Sequence, residues 1–323
     1  MPPAVEGVAL TGQVVILTGA NTGLGFEAAK HFATRGPAKL ILVCRTQQRG
    51  QDAVNRLKAA TGFENVELWT SDLSSFESVK SIRDKIDQLD RLDILVENAG
   101  VALNTHEVTK DGWETTLQVN VLSTALRIIL HLPKLVETAK KYPDTVPRIV
   151  YVTSGAHYMQ TVSPEVIDTS NTLKVINDDL EGVKEGVSKR YAESKLLAQS
   201  FMRALQTHLP TVTCCSVNPG FCESDLTRHV TGERAETIRK MKEESAYTSE
   251  EGSRQLLYAA IGERDKEEQV RGGYLNYSEI SECSDFLLGD EGKKLEAKLW
   301  KKILEVVASG DERVKEVVEK YLS

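Results

Sequence analysis

A chain of 323 residues is long enough to bury a substantial core as one large α/β unit. Its 41% hydrophobic and 27% charged residues exclude a disordered or fibrous protein. The formal net charge of -7, with no basic stripe, argues against a nucleic-acid partner or an anionic membrane surface.

At the start of the chain, Met1 to Leu10 lacks a cationic segment followed by an apolar one, so no signal peptide is expected. No run approaches the ~20 apolar residues of a spanning helix, so no membrane anchor is expected either. The first predicted strand, Gln13 to Thr18, runs into Thr18-Gly19-Ala20-Asn21-Thr22-Gly23-Leu24-Gly25, and a helix is predicted over Leu24 to Arg35. Between a strand and a helix, such glycines permit a tight turn and close backbone approach to a pyrophosphate, which the helix N-terminus favours electrostatically. A second strand, Lys39 to Cys44, ends Val43-Cys44-Arg45. An acidic residue there binds a ribose 2′-hydroxyl, whereas a cation accommodates a 2′-phosphate, so Arg45 favours NADP(H) over NAD(H).

Further along, helices are predicted over Gln48 to Ala60, Ser75 to Asp90, Asp111 to Lys141 and Lys189 to His208, with Pro133 expected to break or kink the third near its last third. Strands are predicted over Val66 to Thr70, Leu92 to Val96, Arg148 to Thr153, Val212 to Val217 and a short Gly273 to Asn276. Continuous apolar strands alternating with amphipathic helices predict an α/β, doubly wound parallel sheet, the Rossmann fold. No repeat or linker marks a boundary, so residues 1–323 read as a single domain. Two substrate-loop insertions depart from the alternation, 157–188 and 221–247, and both are candidate substrate-side elements. The tail 291–322 reads as one or two surface helices.

In Tyr191-Ala-Glu-Ser-Lys195 the spacing of four puts phenol and ammonium on one helix face, where the cation is expected to lower a tyrosine pKa from its usual ~10. That suits a general acid or base. Cys44, Cys214, Cys215, Cys222 and Cys283 have neither disulfide nor zinc spacing and read as reduced thiols of a cytoplasmic protein. The six histidines show no metal-binding spacing, and no metal is expected. His157 and Tyr158, just beyond Ser154, are candidates to touch substrate.

The pattern Thr-Gly-x-x-x-Gly-x-Gly, followed by Asn98-Ala99-Gly100, Ser154 and Tyr191-x-x-x-Lys195, each at the expected strand end, resembles the short-chain dehydrogenase/reductase family over nearly the whole chain. Within it, Val43-Cys44-Arg45, Thr153-Ser154-Gly155-Ala156-His157, Asn218-Pro219-Gly220 and Gly272-Gly273-Tyr274 look most like the carbonyl reductase and retinol dehydrogenase branch. The resemblance implies cofactor contacts from Gly19, Asn21, Thr22, Gly23, Leu24, Gly25 and Arg45. Asp72 and Leu73 would serve the adenine, Asn98, Ala99 and Gly100 the adenine ribose, and Pro219, Gly220 and Ser224 the nicotinamide. Cys44 and Thr22 depart from common patterns, the first standing where NAD-preferring relatives carry Asp and the second where some NADP-dependent ones carry a basic residue. Glu97 stands where Asn commonly opens its motif.

By the same resemblance Tyr191 is the catalytic acid/base, Lys195 lowers its pKa and binds the nicotinamide ribose, Ser154 holds the substrate oxygen, and Asn120 holds a relay water. The implied reaction is hydride transfer between NADP(H) and a small-molecule carbonyl or alcohol, with Ser154, Tyr191, His157 and Tyr158 toward the substrate. A non-catalytic NADP(H) sensor would commonly lose the Tyr or Lys. A sugar-nucleotide epimerase or dehydratase would generally show Thr-Gly-x-x-Gly-x-x-Gly. Relatives dimerise through the two long helices, but an insertion before Tyr191 can cover that face, so monomer is favoured over homodimer.

Overall fold

The apolar runs read as strands lie side by side in a computed structural model that describes residues 5–103, 105–179, 187–228 and 230–322. Part of segment 157–188 therefore lies outside the described residues, as does His229. Strands β1 (Val14–Thr18), β2 (Lys39–Cys44), β3 (Val66–Thr70), β4 (Ile94–Glu97), β5 (Arg148–Val152), β6 (Thr213–Asn218) and β7 (Tyr274–Asn276) are all parallel. With β8 (Glu279–Ser281) they form one sheet in the order β3-β2-β1-β4-β5-β6-β7-β8. The order reverses between β1 and β4, which opens a crevice at their carboxyl ends.

Strand β8, absent from the sequence expectation, pairs antiparallel with β7. Its hairpin turn uses Tyr277 (φ 51) and Ser278 (φ 58), both in the left-handed region that two-residue hairpins require and that Asn-Gly normally signals. Gln255 holds this turn, accepting from the Ser278 N–H at 2.6 Å and donating to Ser278 Oγ at 3.0 Å.

On one face of the sheet lie α1 (Gly23–Ala33), α2 (Gln47–Thr61) and, much later in the chain, Ser249–Ile261, packing Ala28, Phe32, Leu57 and Leu256 against β-strand side chains. The other face carries α3 (Ser123–Lys141) and α4 (Val187–His208), whose Leu126, Ile129, Leu197 and Phe201 belong to the core on that side. Strands buried on both faces explain the continuous apolar runs.

Several helices differ from expectation. The predicted Ser75 to Asp90 helix is two short ones, Phe76–Lys80 and Arg83–Asp87. Ser81 ends the first, its hydroxyl bonding the Ser78 carbonyl in competition with the backbone. Pro133 does not break α3, which continues through it with Leu130, Leu132 and Leu135 buried around it. The irregularity falls earlier, at a π-helical turn, Gln118–Leu122, between a short helix Thr115–Leu117 and α3. Thr115–Lys141 is, by length and composition alone, long and apolar enough to cross a membrane, which corrects the expectation that no run comes close. In this fold 89% of its most apolar stretch is buried inside the protein.

The tail forms α5 (Asp290–Ala308) and α6 (Glu312–Tyr321), and these are more than surface helices. Leu295, Leu299, Ile303, Val314 and Val317 are buried, and Trp300 stacks on His208 and packs by Phe201 at the outer side of α4. The described part of 157–188 holds helices Pro164–Asp168 and Thr172–Asp178, which pack on α5.

Candidate active site

Helix α1 begins where β1 ends, and the turn between them is sterically possible only for glycine. Gly19 (φ 65) and Gly23 (φ 55) take left-handed conformations. A Cβ on Gly25 would sit 2.4 Å from the Gly19 carbonyl oxygen and 2.6 Å from Asn98 Nδ2. Asn98 Nδ2 donates to the Thr18 carbonyl at 2.8 Å, while Thr18 Oγ1 accepts from the N–H groups of Asn98 and Ala99 at 2.9 and 3.0 Å. These bonds fix the carboxyl ends of β1 and β4 to one another at the sheet's reversal point.

One cavity follows from that crevice. Gly19, Asn21, Thr22, Gly23, Leu24, Gly25, Arg45, Asp72, Leu73, Asn98, Ala99, Gly100, Tyr191, Lys195, Pro219 and Ser224 all line it. Gly220 adjoins through its neighbours, with φ 86 and its N–H on Asn218 Oδ1 at 3.1 Å. Sequence reasoning missed Arg49, Arg127, Asp225 and Arg228, which line the same cavity. Arg49 stands four residues after Arg45, a spacing that signalled it; nothing in the charge-rich 221–247 segment singled out Arg228.

Arg127 explains the departure at Glu97. The two side chains are almost fully buried, and Arg127 Nε lies 2.9 and 3.0 Å from the Glu97 carboxylate oxygens, with Nη2 also on Oε2. Glu97 also accepts from Thr18 Oγ1 at 3.3 Å. The carboxylate at 97 thus has a dedicated cation from α3.

Asn120 sits in the π-helical turn and is buried. Its Nδ2 donates to the Val101 carbonyl at 2.9 Å and to Ser194 Oγ at 3.0 Å, and its Oδ1 accepts from Val101 N–H at 2.9 Å. The Tyr151 hydroxyl donates to the Asn120 carbonyl. Asn120 therefore joins the segment after β4 to the helix carrying Tyr191 and Lys195.

Lys195 Nζ donates to the Val152 carbonyl at 2.8 Å and lies 5.5 Å from the Tyr191 ring centroid. Burial pushes its pKa down to about 8. The Tyr191 phenol, at the cavity wall, is pushed up to about 12, because burial outweighs the lowering influence of the Ser154 hydroxyl. The expected lowering by Lys195 is not the governing effect here. Ser154 Oγ accepts from Ala156 N–H at 3.1 Å, capping the turn Gly155–Met159.

His157 and Tyr158 are not brought to this cavity. His157 is buried with both ring nitrogens used, Nδ1 on the Ser154 carbonyl at 2.8 Å and Nε2 accepting from Ser284 N–H at 3.2 Å. Tyr158 packs on Tyr274 and donates to the Glu282 carbonyl. No described side chain of 157–188 lines the cavity, whereas the 221–247 segment does. Beyond Ser224 it forms the turn Asp225–Thr227 and the helix Glu233–Ser245. Leu226, Val230, Ala235 and Ile238 pack with Ala102 beside Tyr191. Among the described residues no group of three or more His, Cys, Asp or Glu is placed to hold a metal.

Residues 13–166 match the family model described as short chain dehydrogenase. Short-chain dehydrogenase anuD of Penicillium roqueforti (strain FM164) is 35% identical over 308 residues, covering 92% of this chain and 77% of its own. Short-chain dehydrogenase/reductase phmF of Phaeosphaeria nodorum (strain SN15) is 32% identical over 301 residues, covering 92% and 86%. The short-chain dehydrogenase from Sphingobium yanoikuyae, solved in complex with NADPH, shares the fold at a TM-score of 0.57 and 21% identity, over 76% of this chain and 83% of its own.

Proposed function

This chain is a member of the short-chain dehydrogenase family of oxidoreductases, and we propose that it is an NADPH-preferring carbonyl reductase, of the carbonyl reductase and retinol dehydrogenase type, acting on a small apolar carbonyl or the corresponding alcohol. The observation that carries this reading is the single cavity running from the glycine turn past Arg45 and Arg49 to Tyr191 and Lys195.

The residues present fit a dinucleotide. At Gly19 and Gly25 a Cβ has no room, and no side chain caps the N-terminus of α1, which leaves its first N–H groups available to an anion. Arg45 and Arg49 supply guanidiniums suited to a 2′-phosphate, and the fold-mate from Sphingobium yanoikuyae holds NADPH. Nicotinamide, when bound, supplies the hydride that a carbonyl carbon accepts. Tyr191 donates the proton to the carbonyl oxygen, and Ser154 hydrogen-bonds that oxygen and stabilises its developing charge. Burial pushes the phenol up to about 12, so at neutral pH it holds the proton that it donates to the carbonyl oxygen. Asn120 holds the Tyr191 helix in register through Ser194. The apolar residues beside Tyr191 favour an apolar substrate.

We read the protein as a cytoplasmic monomer, its five cysteines all free thiols and the outer side of α4 covered by its own α5. A dimer that persists on dilution in light scattering would overturn the monomer. The function is tested by NADPH absorbance on a panel of apolar carbonyls, with Tyr191→Phe as control. Turnover lost in Tyr191→Phe, with NADPH still bound, is the expected result. No turnover on any carbonyl despite tight NADPH binding would point to a cofactor sensor, and better use of NADH would remove the role of Arg45.

A further inference from the structure

The loop after β6 reaches back over the glycine turn. Thr22 Oγ1 donates to Asp225 Oδ2 at 3.1 Å, so the turn Asp225–Thr227 is tied to the start of α1. From the other side Lys242 Nζ donates to the Ser224 carbonyl at 2.9 Å and to Thr227 Oγ1 at 3.0 Å. Arg228 Nη1 donates to the Asp225 carbonyl at 2.9 Å. Held this way, Arg228 lines the same cavity as Arg45 and Arg49, which come from the end of β2 and the first turn of α2.

Three guanidiniums from three separate elements therefore share one cavity. Burial first, and then Arg45, pushes the Arg228 pKa down, with Asp225 opposing and Arg49 adding to the shift. Asp72 and Asp225 line the cavity too, Asp225 accepting from Thr22, and the three cations beside them suit an anion such as a phosphate monoester, which offers the charge and the acceptor oxygens. Arg228 belongs to the segment that shelters Tyr191, whereas Arg45 and Arg49 belong to the cofactor side of the fold.

We propose that Arg228 is a specificity-determining residue: it closes on the 2′-phosphate of NADP(H) together with Arg45 and Arg49, so that this phosphate latches the substrate-side loop over the site. The inference rests on the NADP(H) reading above and extends it. NAD(H), which has a 2′-hydroxyl there, leaves the Arg228 contact unmade, so the loop keeps only its ties through Thr22 and Lys242 and the cofactor loses affinity.

Calorimetric titration of the wild type, Arg228→Gln and Arg45→Gln with adenosine 2′,5′-bisphosphate and with AMP tests the proposal, paired with hydrogen–deuterium exchange over residues 221–228. Arg228→Gln should weaken bisphosphate binding by about tenfold or more and AMP binding by less than about twofold. Bisphosphate, and not AMP, should slow exchange of that loop in the wild type, and neither should do so in Arg228→Gln. A wild type that binds AMP as tightly as the bisphosphate would overturn the NADP(H) reading, and the latch with it. If the wild type prefers the bisphosphate and Arg45→Gln loses that preference, yet Arg228→Gln keeps both the preference and the loop protection, the latch alone is overturned.

Discussion

Tyr191 and Lys195 share a helix face, as their spacing dictates, yet burial acts on them in opposite directions. The phenol is pushed up to about 12 and the ammonium down to about 8. Across neutral pH the first keeps its proton and the second its charge. Reductive kcat/KM should accordingly stay level between about pH 6 and 7.5 and fall above about 8 as Lys195 neutralises, measured by NADPH oxidation across that range. At the same scale, Glu97→Gln leaves the Arg127 guanidinium buried without its carboxylate. We expect a loss of about 3 kcal/mol or more in urea unfolding, because a buried charge deprived of its partner costs more than the pair contributed. Position 97 was visible in the sequence as a departure, but its partner lies 30 residues on, on another element, and no local pattern joins the two.

At the scale of elements, the strands and the glycine turn were legible because their signals are local: apolar runs on buried strands, glycines where a Cβ has no room. The π-helical turn and the hairpin to β8 were not, since each is held by remote groups. Tyr151 from β5 bonds the carbonyl of Asn120, and Gln255 cradles Ser278. Tyr191 and Lys195, read from their spacing, do line the cavity, while Arg228 reaches it by a loop path that no spacing encodes. Tyr151→Phe tests the turn. It leaves a buried carbonyl short of a donor, which should lower stability by about 1–2 kcal/mol in denaturant titration. It should also depress kcat more than KM, because Asn120 positions the Tyr191 helix rather than substrate.

For the whole molecule, acid sensitivity follows from a histidine in the middle of α3. His131 is fully buried, with Nδ1 on the Arg127 carbonyl at 2.6 Å and Nε2 without a partner, and burial pushes its pKa down to about 3. Above about pH 6.5 it is neutral folded or unfolded. Below that, the unfolded chain takes up a proton that the folded one refuses, so stability falls as pH falls toward 3. The His131 contribution between pH 7 and 5 is about 2 kcal/mol. His131→Leu should shrink the drop in unfolding free energy over that interval by about this amount, as read from urea titrations at both pH values.

The tail helices give the chain's order a meaning in time. Residues 290–322 follow in the chain everything they cover, so until they leave the ribosome the part of α4 that Trp300 packs on, at Phe201 and His208, lacks that cover. An apolar helix face left without its cover is a surface on which chains associate, so a chain lacking these helices should self-associate. Docking of Trp300 against Phe201 and His208 supplies that cover, so the same contacts that finish the fold also end the period in which the molecule can be captured by another copy of itself.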